Sequence, residues 1–232
     1  MQGNLDTLVQ DFLLYLEAER GCSKLTVKAY CADLRDFLAH LATAGAPATP
    51  ASVTVGAVRS WILAMHGRGL CGNSVARRLA ALRSFWRYLR ASGVVAEDVL
   101  VRIATPRRER PLPVYLGPED LQRLLDAALR QRTAFCAFRD HAVLATFIYA
   151  GLRRGELLHL RTSDVDLEQG ILRVVAGKGR KTRLVPMVRE LQQALCDWLA
   201  CRVRFDHEPM FITNRGNRIY ATRLQIIWRR RS

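Results

Sequence analysis

The sequence predicts a mainly α-helical protein with a small β-sheet, organised as a four-helix domain followed by an α+β domain. Three observations predict this fold class. Apolar residues recur at spacings of three and four through residues 1–93. A proline- and arginine-rich stretch follows, and two short β-branched runs then flank a glycine-bearing polar segment. We therefore predict a helical domain at 1–93, a linker at 94–116 and a second domain at 117–232.

Each helix of the first domain is bounded by residues that typically begin or end helices. Glycines stop the apolar pattern four times, and Ser23, Asn73 and Ser74 are good N-caps. The predicted helices run from about Leu5 to Arg20, from Ser23 to Gly45, from Val55 to Gly67, and from Asn73 or Ser74 to Gly93.

The segment between the domains is predicted to be an extended basic linker, because its prolines disfavour both an α-helix and the hydrogen bonding of a β-sheet. Pro118, placed at a first helical position, opens the second domain. Further helices are predicted from about Asp140 to Ala150, Arg154 to Leu160, and from Leu191 and Thr222 onwards. Strands are predicted at Ile171 to Val175, Arg183 to Pro186 and Met210 to Thr213.

The charge balance favours a polyanionic partner. Basic residues number 36 against 21 acidic ones, for a net charge of +15, and all but Lys24, Lys28, Lys178 and Lys181 are arginines. An arginine fork can hold two phosphate oxygens, so nucleic acid is the favoured partner, although a solvated basic surface or a GC-rich genome would also enrich arginine.

Membrane, secreted and metal-binding classes are not indicated. The longest apolar run, Ala142 to Ala150, is shorter than a spanning helix, and the N-terminus lacks the pattern of a secretory signal. The six cysteines form no C-x-x-C pair, so neither a zinc site nor a disulfide framework is expected. Reduced thiols predict a cytoplasmic protein.

The fourth helix carries the clearest candidate DNA surface. Arg83, Arg87 and Arg90 form a row beside the short side chains Ala76, Ala80 and Ser84, with Arg77 at the edge. A low ridge flanked by long arginines suits a major groove, and no acidic residue occurs from Gly67 to Val95. The alternative is a solvated helix face. Weaker candidates on the second helix are Lys24, Lys28 and Tyr30.

Two further clusters of charge lie in the linker and the second domain. Arg107 and Arg108 stand in the linker, and Lys178, Arg180, Lys181 and Arg183 crowd a predicted hairpin. That hairpin could project a lysine into a groove or be an ordinary charged turn. Arg153 follows a glycine that stops a buried helix, a position that suits an arginine facing a phosphate. Glu156 is interpreted as its structural partner rather than an acid catalyst.

Motifs across the whole chain resemble the tyrosine recombinase (phage integrase) family, particularly its Xer-like members. The first domain contains Ser23-x-x-Thr26-x-x-x-Tyr30-x-x-Asp33-Leu34 and a second motif from Leu79 to Leu89. Tyr149 to Leu157 is similar to Y-A-x-G-L-R-x-x-E-L with one residue missing before the glycine. Asp164-Val165-Asp166 and the segment from Gly177 to Pro186, similar to G-K-G-x-K-x-R-x-V-P, complete the match.

The resemblance implies a SAM-like core-binding domain and a catalytic domain that acts on double-stranded DNA. In the family, a tyrosine attacks a DNA phosphate and forms a 3′-phosphotyrosine that a 5′-hydroxyl later resolves, with no metal or nucleotide cofactor. Carried over, Arg153 is the first catalytic arginine and Lys178 is the hairpin lysine that protonates the leaving oxygen. The resemblance also implies a homo-tetramer on DNA. It leaves open whether the process is integration, excision or transposition, as in a mobile element, or chromosome-dimer resolution.

The sequence departs from the family in its last third. No histidine is followed three positions later by arginine, so the family's H-x-x-R segment, third-site histidine or tryptophan, and nucleophilic tyrosine are not found by motif. We therefore expect an incomplete catalytic domain, truncated on its C-terminal side, that cannot cleave DNA alone. The alternative function is a non-catalytic duplex-DNA-binding protein that occupies recombination sites. An RNA-binding protein is disfavoured because Tyr30, Trp61 and Trp86 form no exposed stacking array.

Overall fold

The computed structural model describes residues 3–106, 115–175, 182–202 and 208–229, apart from the side chains of residues 226, 228 and 229. The chain divides into two compact units, Met1–Leu112 and Pro113–Ser232, here called the N-terminal and C-terminal units. Within the described ranges, every helix is too short or too polar to cross a membrane.

The four predicted helices of the N-terminal unit are confirmed. Their bounds are α1 Leu5–Ala18, α2 Lys24–Thr43, α3 Val55–Gly67 and α4 Gly72–Ala91. Ser23 caps α2 as predicted, since its hydroxyl accepts a hydrogen bond from the Thr26 backbone at 3.2 Å. The start of α4 lies slightly earlier than predicted, with Cys71 rather than Asn73 or Ser74 at the N-cap position.

Aromatic and aliphatic side chains from all four helices form one core. Trp61 is fully buried, and its indole N–H donates to Asp36 at 2.8 Å, which satisfies the polar atom inside the unit. Phe37 packs edge-on against Trp61, with ring centroids 5.0 Å apart. The apolar stripes predicted from helical spacing therefore face this core.

The beginning of the predicted linker is packed onto this unit. Residues Val99–Arg102 form a 3-10 turn, and Leu100 and Ile103 are buried in the N-terminal core. The Trp86 indole N–H donates to the Glu97 carbonyl at 3.0 Å. Residues 94–103 are thus not an extended linker, because their apolar side chains are covered by the helices that precede them. The arginines predicted to bind DNA at 107 and 108 lie outside the described residues.

The C-terminal unit contains five described helices and a small sheet. The helices are α5 Pro118–Leu129, α6 Ala134–Ala150, α7 Arg154–His159, α8 Arg189–Cys201 and α9 Ala221–Arg229. Helix α6 begins six residues before the predicted start, since Thr133 caps it through a 3.3 Å hydrogen bond from the Cys136 backbone. The sequence predicts only the second half of α6, where the apolar residues are continuous.

Three antiparallel strands form the described sheet, in the order β1-β2-β3. Strand β1, Val165–Asp166, was not predicted, because two residues are too few to show a period. Strands β2, Ile171–Val174, and β3, Arg183–Pro186, agree with the prediction, and Leu172 pairs with Val185. The predicted strand at residues 210–213 is wrong: isolated bridges join Arg161 to Pro209 and Ile212 to Arg218.

A second core fills the C-terminal unit between α5, α6, α8 and the sheet. Arg139 and Asp140 lie inside it as a buried ion pair with an Nη2–Oδ1 distance of 2.7 Å. Arg139 also donates to the Ile212 carbonyl at 3.5 Å, and Gln131 donates to Asp140 at 3.1 Å. The pair therefore connects α6 to the irregular segment before α9.

Candidate functional site

Arg153 lies at the junction between α6 and α7, as the sequence predicted. Gly151 ends α6 in the left-handed conformation, with φ of 58°, and its backbone N–H donates to the Phe147 carbonyl at 3.2 Å. Arg153 is extended and precedes the first residue of α7. Its side chain is 65% exposed, so the guanidinium faces solvent from a backbone fixed by two helix ends.

Glu156 holds Arg153 in place from a buried position. Its side chain is only 8% exposed. One carboxylate oxygen, Oε2, accepts from the Arg153 backbone N–H at 2.8 Å, and the other, Oε1, accepts from Arg153 Nη1 at 3.0 Å. Glu156 is therefore the structural partner that the sequence predicted, and it acts on both the backbone and the side chain of Arg153.

Arg183 on β3 is a second partner of Glu156 that sequence reasoning did not assign to the site. Its Nη1 and Nη2 atoms donate to Oε1 and Oε2, both at 2.9 Å. Hydrogen bonds from Arg183 are the main cause that lowers the pKa of Glu156 from 4.5 to about 2. The alternation of side chains along β3 could have suggested which way Arg183 points. It could not have identified Glu156, 27 positions earlier, as the partner.

The cluster of Arg153, Arg183 and Glu156 carries one net positive charge at neutral pH. Both guanidinium groups are charged and the carboxylate is ionised, since its pKa is low. A cationic, partly exposed fork on a rigid backbone can bind a phosphate oxygen without reorganising. The other hairpin residues of the predicted site, Lys178, Arg180 and Lys181, lie outside the described residues.

Metal binding has no support in the described parts of the chain. Within them, no group of three or more histidine, cysteine, aspartate or glutamate side chains is placed to hold an ion.

On α2, the cations point outward along a single face. Lys24, Lys28 and Arg35 fall within about 40° of one another on the helical wheel, and all three are exposed. No ion-pair partner of Arg35 occurs among the described residues. Arg35 is not among the residues predicted from the sequence to bind DNA, and it lies between Asp33 and Asp36 along the chain. Tyr30, by contrast, is half-buried and stacks on Phe12, with centroids 6.2 Å apart.

Arg77, predicted to bind DNA, forms an ion pair inside the N-terminal unit. Both of its terminal nitrogens contact the carboxylate of Asp33, with Nη2 at 2.9 Å from Oδ1. Burial raises the pKa of Asp33 in spite of the neighbouring Arg77 and Arg78. Arg77 therefore neutralises a buried carboxylate, and only the solvent-exposed remainder of its side chain can meet DNA.

The arginine row on α4 faces the segment that follows the helix. Arg83 donates to the Ile103 carbonyl and, at 2.5 Å, to the Thr105 hydroxyl, and Arg90 lies 3.6 Å from Asp98. Arg87 borders a cavity of about 410 Å³ between α4 and residues 98–101.

The low ridge predicted beside this row is only partly present. Ala76 is buried, Ser84 is half-buried, and only Ala80 is exposed. Residues 97–105 cover part of this helix face, so the three short side chains do not form one exposed ridge, and binding of DNA by the arginine row stays a prediction. Arg87 is the member of the row that is exposed and has no described ion-pair partner.

Both units match known protein families. Residues 9–93 match the family described as "Phage integrase, N-terminal SAM-like domain", and residues 115–231 match the "Phage integrase family".

Two relatives named "Tyrosine recombinase XerC" align over most of the chain. The one from Thermodesulfovibrio yellowstonii is 32% identical over 224 residues, covering 93% of this chain and 72% of the relative. The one from Methylobacterium nodulans is 38% identical over 213 residues, covering 88% of this chain and 66% of the relative. The chain thus spans 72% and 66% of their respective lengths.

A solved structure shares the fold. A lambda integrase dimer bound to a COC' core site superposes with a TM-score of 0.77 at 15% identity, covering 99% of this chain and 63% of that one. At 15% identity, this similarity shows a shared fold and nothing further.

Proposed function

This chain belongs to the phage integrase family of tyrosine recombinases, and on that basis we propose that it binds duplex DNA and takes part in site-specific recombination. In that reaction a tyrosine cleaves and rejoins DNA through a 3′-phosphotyrosine. Arg153 would contact the phosphate under attack, and Lys178 would protonate the leaving 5′-oxygen. The cytoplasm, where the DNA lies, is the proposed site of action.

One observation carries the proposal: an exposed guanidinium, that of Arg153, is fixed by a buried carboxylate at a junction of two helices. A donor held in place before the substrate arrives stabilises developing negative charge without reorganisation. Loss of one such donor typically costs about 100- to 1,000-fold in rate.

The N-terminal unit would supply binding rather than chemistry. Lys24, Lys28 and Arg35 offer three exposed cations along one face of α2. Trp61 and Trp86 are buried, so they offer no stacking platform for single-stranded RNA. These features favour duplex DNA over RNA as the partner.

Assembly on DNA is part of the proposal. Solved relatives in fold include a "lambda integrase tetramer bound to a Holliday junction", with a TM-score of 0.76 at 16% identity. We propose a homo-tetramer on DNA, because exchange between two duplexes requires four strands to be cleaved, each by one protomer.

Binding can be tested by fluorescence anisotropy with a labelled duplex selected by the protein from a random pool. We expect the duplex to bind more tightly than single-stranded RNA of equal length at the same salt. Arg153→Met should reduce the slope of log affinity against log salt by about 1, as one phosphate contact is lost. Arg132→Met, which removes an exposed cation elsewhere in the C-terminal unit, is the matched control. Equal binding of both nucleic acids would contradict the proposal.

A non-catalytic function is the second candidate, favoured by the absence of any H-x-x-R pattern from residues 1–232. The two candidates bind the same DNA and differ only in covalent chemistry. The selected duplex, nicked so that cleavage cannot be reversed, should form a denaturant-stable protein–DNA adduct only with a catalytic chain. An adduct would contradict the non-catalytic candidate, and its loss in Arg153→Met would tie the chemistry to this site.

A further inference from the structure

We infer that Arg183 is a positioning residue. It occupies acceptor sites of the Glu156 carboxylate that Arg153 would otherwise use, and thereby leaves the Arg153 guanidinium available to a DNA phosphate. The inference rests on the proposed function for its last step, the contact with phosphate. Arg183 itself is 38% exposed and holds the carboxylate through two side-chain hydrogen bonds, whereas Arg153 uses one.

The hydrogen-bonding capacity of the carboxylate carries the inference. An ionised carboxylate has about four lone-pair sites, two on each oxygen. Oε1 accepts from Arg153 Nη1 and Arg183 Nη1, and Oε2 accepts from the Arg153 backbone and Arg183 Nη2. All four sites are occupied. The remaining N–H groups of Arg153 therefore have no acceptor left on Glu156.

Without Arg183, two acceptor sites on Glu156 would become free beside Arg153. A guanidinium and a carboxylate prefer a two-bond, side-by-side arrangement, so Arg153 would turn further towards Glu156. The net charge of the cluster would also fall from one positive charge to zero. Arg183 thus preserves both the donors and the charge that a phosphate would meet.

The experiment measures how fast phenylglyoxal, a reagent selective for free arginine side chains, modifies Arg153 in the full chain. Peptide mass spectrometry resolves the site, and exposed Arg132 serves as the internal reference. In Arg183→Met we expect the rate at Arg153 to fall about three- to tenfold, because one more charge-assisted hydrogen bond holds it. In Arg183→Met with Glu156→Gln the rate should return to at least the wild-type value, because a neutral amide cannot hold both nitrogens.

Conservative substitution separates positioning from a merely structural role. Arg183→Lys keeps a cation beside the carboxylate but loses the two-bond fork, so the rate at Arg153 should lie between those of wild type and Arg183→Met. If Arg183 served only to stabilise the sheet, its loss would loosen the site and raise the rate at Arg153, which would overturn the inference. Should Arg183→Met not fold, Arg183→Gln carries the same expected direction.

A second arm with saturating selected duplex distinguishes this inference from the proposed function. Protection of Arg153 by duplex in wild type, weakened in Arg183→Met, would support both. A rate at Arg153 that falls in Arg183→Met without any protection by duplex would uphold the control of Arg153 by Arg183 and overturn its contact with DNA. Protection that is equal in both proteins, with no change in rate, would overturn the inference and leave the proposed function standing.

Discussion

The basic residues predicted to bind DNA differ in their exposure and in the groups that they contact. Lys28 is exposed on α2, Arg77 pairs with buried Asp33, and Arg83 donates to Ile103 and Thr105. Basic side chains predicted to share one role therefore have three different surroundings in one unit. Only contacts with distant residues separate them, because all three share the same local pattern of basic residues on an amphipathic helix.

Glu156 should make the stability of the C-terminal unit depend on pH in the acid range. Its pKa is about 2 in the folded chain against 4.5 ordinarily, so the ionised form stabilises the fold fully above pH 4.5. That contribution is lost as the pH falls through 2. We expect the difference in unfolding free energy between wild type and Glu156→Gln to shrink by about 2 kcal/mol from pH 7 to pH 3 in urea titrations. A difference that grows on acidification would contradict this account.

The buried Arg139–Asp140 pair should be costly to break. Arg139→Met leaves the buried Asp140 side chain with Gln131 as its remaining side-chain donor among the described residues, and it removes the bond to the Ile212 carbonyl. Breaking such a pair typically destabilises by about 3–5 kcal/mol. The exposed pair of Arg123 and Asp120 is the matched control, and Arg123→Met should cost less than about 1 kcal/mol. Equal effects in denaturant unfolding would show that burial does not decide the cost.

Among secondary-structure elements, α4 contacts both the core and the segment that follows it. One flank faces the core, and the adjoining flank binds the chain that follows it through Trp86, Arg83 and Arg90. Leu100 and Ile103 then add apolar contacts to the same core. The segment after α4 therefore stabilises the helix that precedes it.

The stability of the N-terminal unit should depend on residues 94–106. A fragment of residues 1–106 retains these contacts, whereas a fragment of 1–93 loses two buried side chains and the partners of Arg83. Full burial of an aliphatic side chain contributes about 1.5–3 kcal/mol. We expect the shorter fragment to be less stable by roughly 3–6 kcal/mol in urea unfolding followed by circular dichroism. Leu100→Ala in the longer fragment should show part of this loss, and equal stability of the two fragments would refute it.

At the scale of the whole molecule, the net charge of +15 should make duplex binding strongly dependent on salt. A protein that makes about 6–10 phosphate contacts loses about 10³- to 10⁵-fold in affinity between 50 and 200 mM salt. We expect a loss in this range for the selected duplex.

Lys28→Met should reduce the salt slope by about 1, and Arg83→Met should leave it nearly unchanged because residues 103 and 105 already bind that side chain. Equal slopes for the two variants would contradict the division of roles drawn from the structure.

Much of the fold could be predicted because its elements are long and periodic. Helices α1 to α5 follow apolar spacings and glycine or proline boundaries, which act within one element. Strand β1 and the bridges around residues 209–218 could not be predicted, because pairing between distant residues defines them. The prolines that follow residues 94–103 predict a linker there, although Leu100 and Ile103 are apolar and lie in the N-terminal core.

For this protein, the sequence alone determined the helical spacing, the place of Arg153 after a helix-ending glycine, the excess of arginine and the motifs of the family. These depend on neighbours within a few positions along the chain. Only the tertiary structure decided that Arg183 shares Glu156 with Arg153, that Arg77 neutralises Asp33 and that Arg83 holds residues 103 and 105. The physical reason is that an arginine side chain donates to whichever acceptor the fold places within reach. The number of residues between donor and acceptor along the chain does not predict their distance in space.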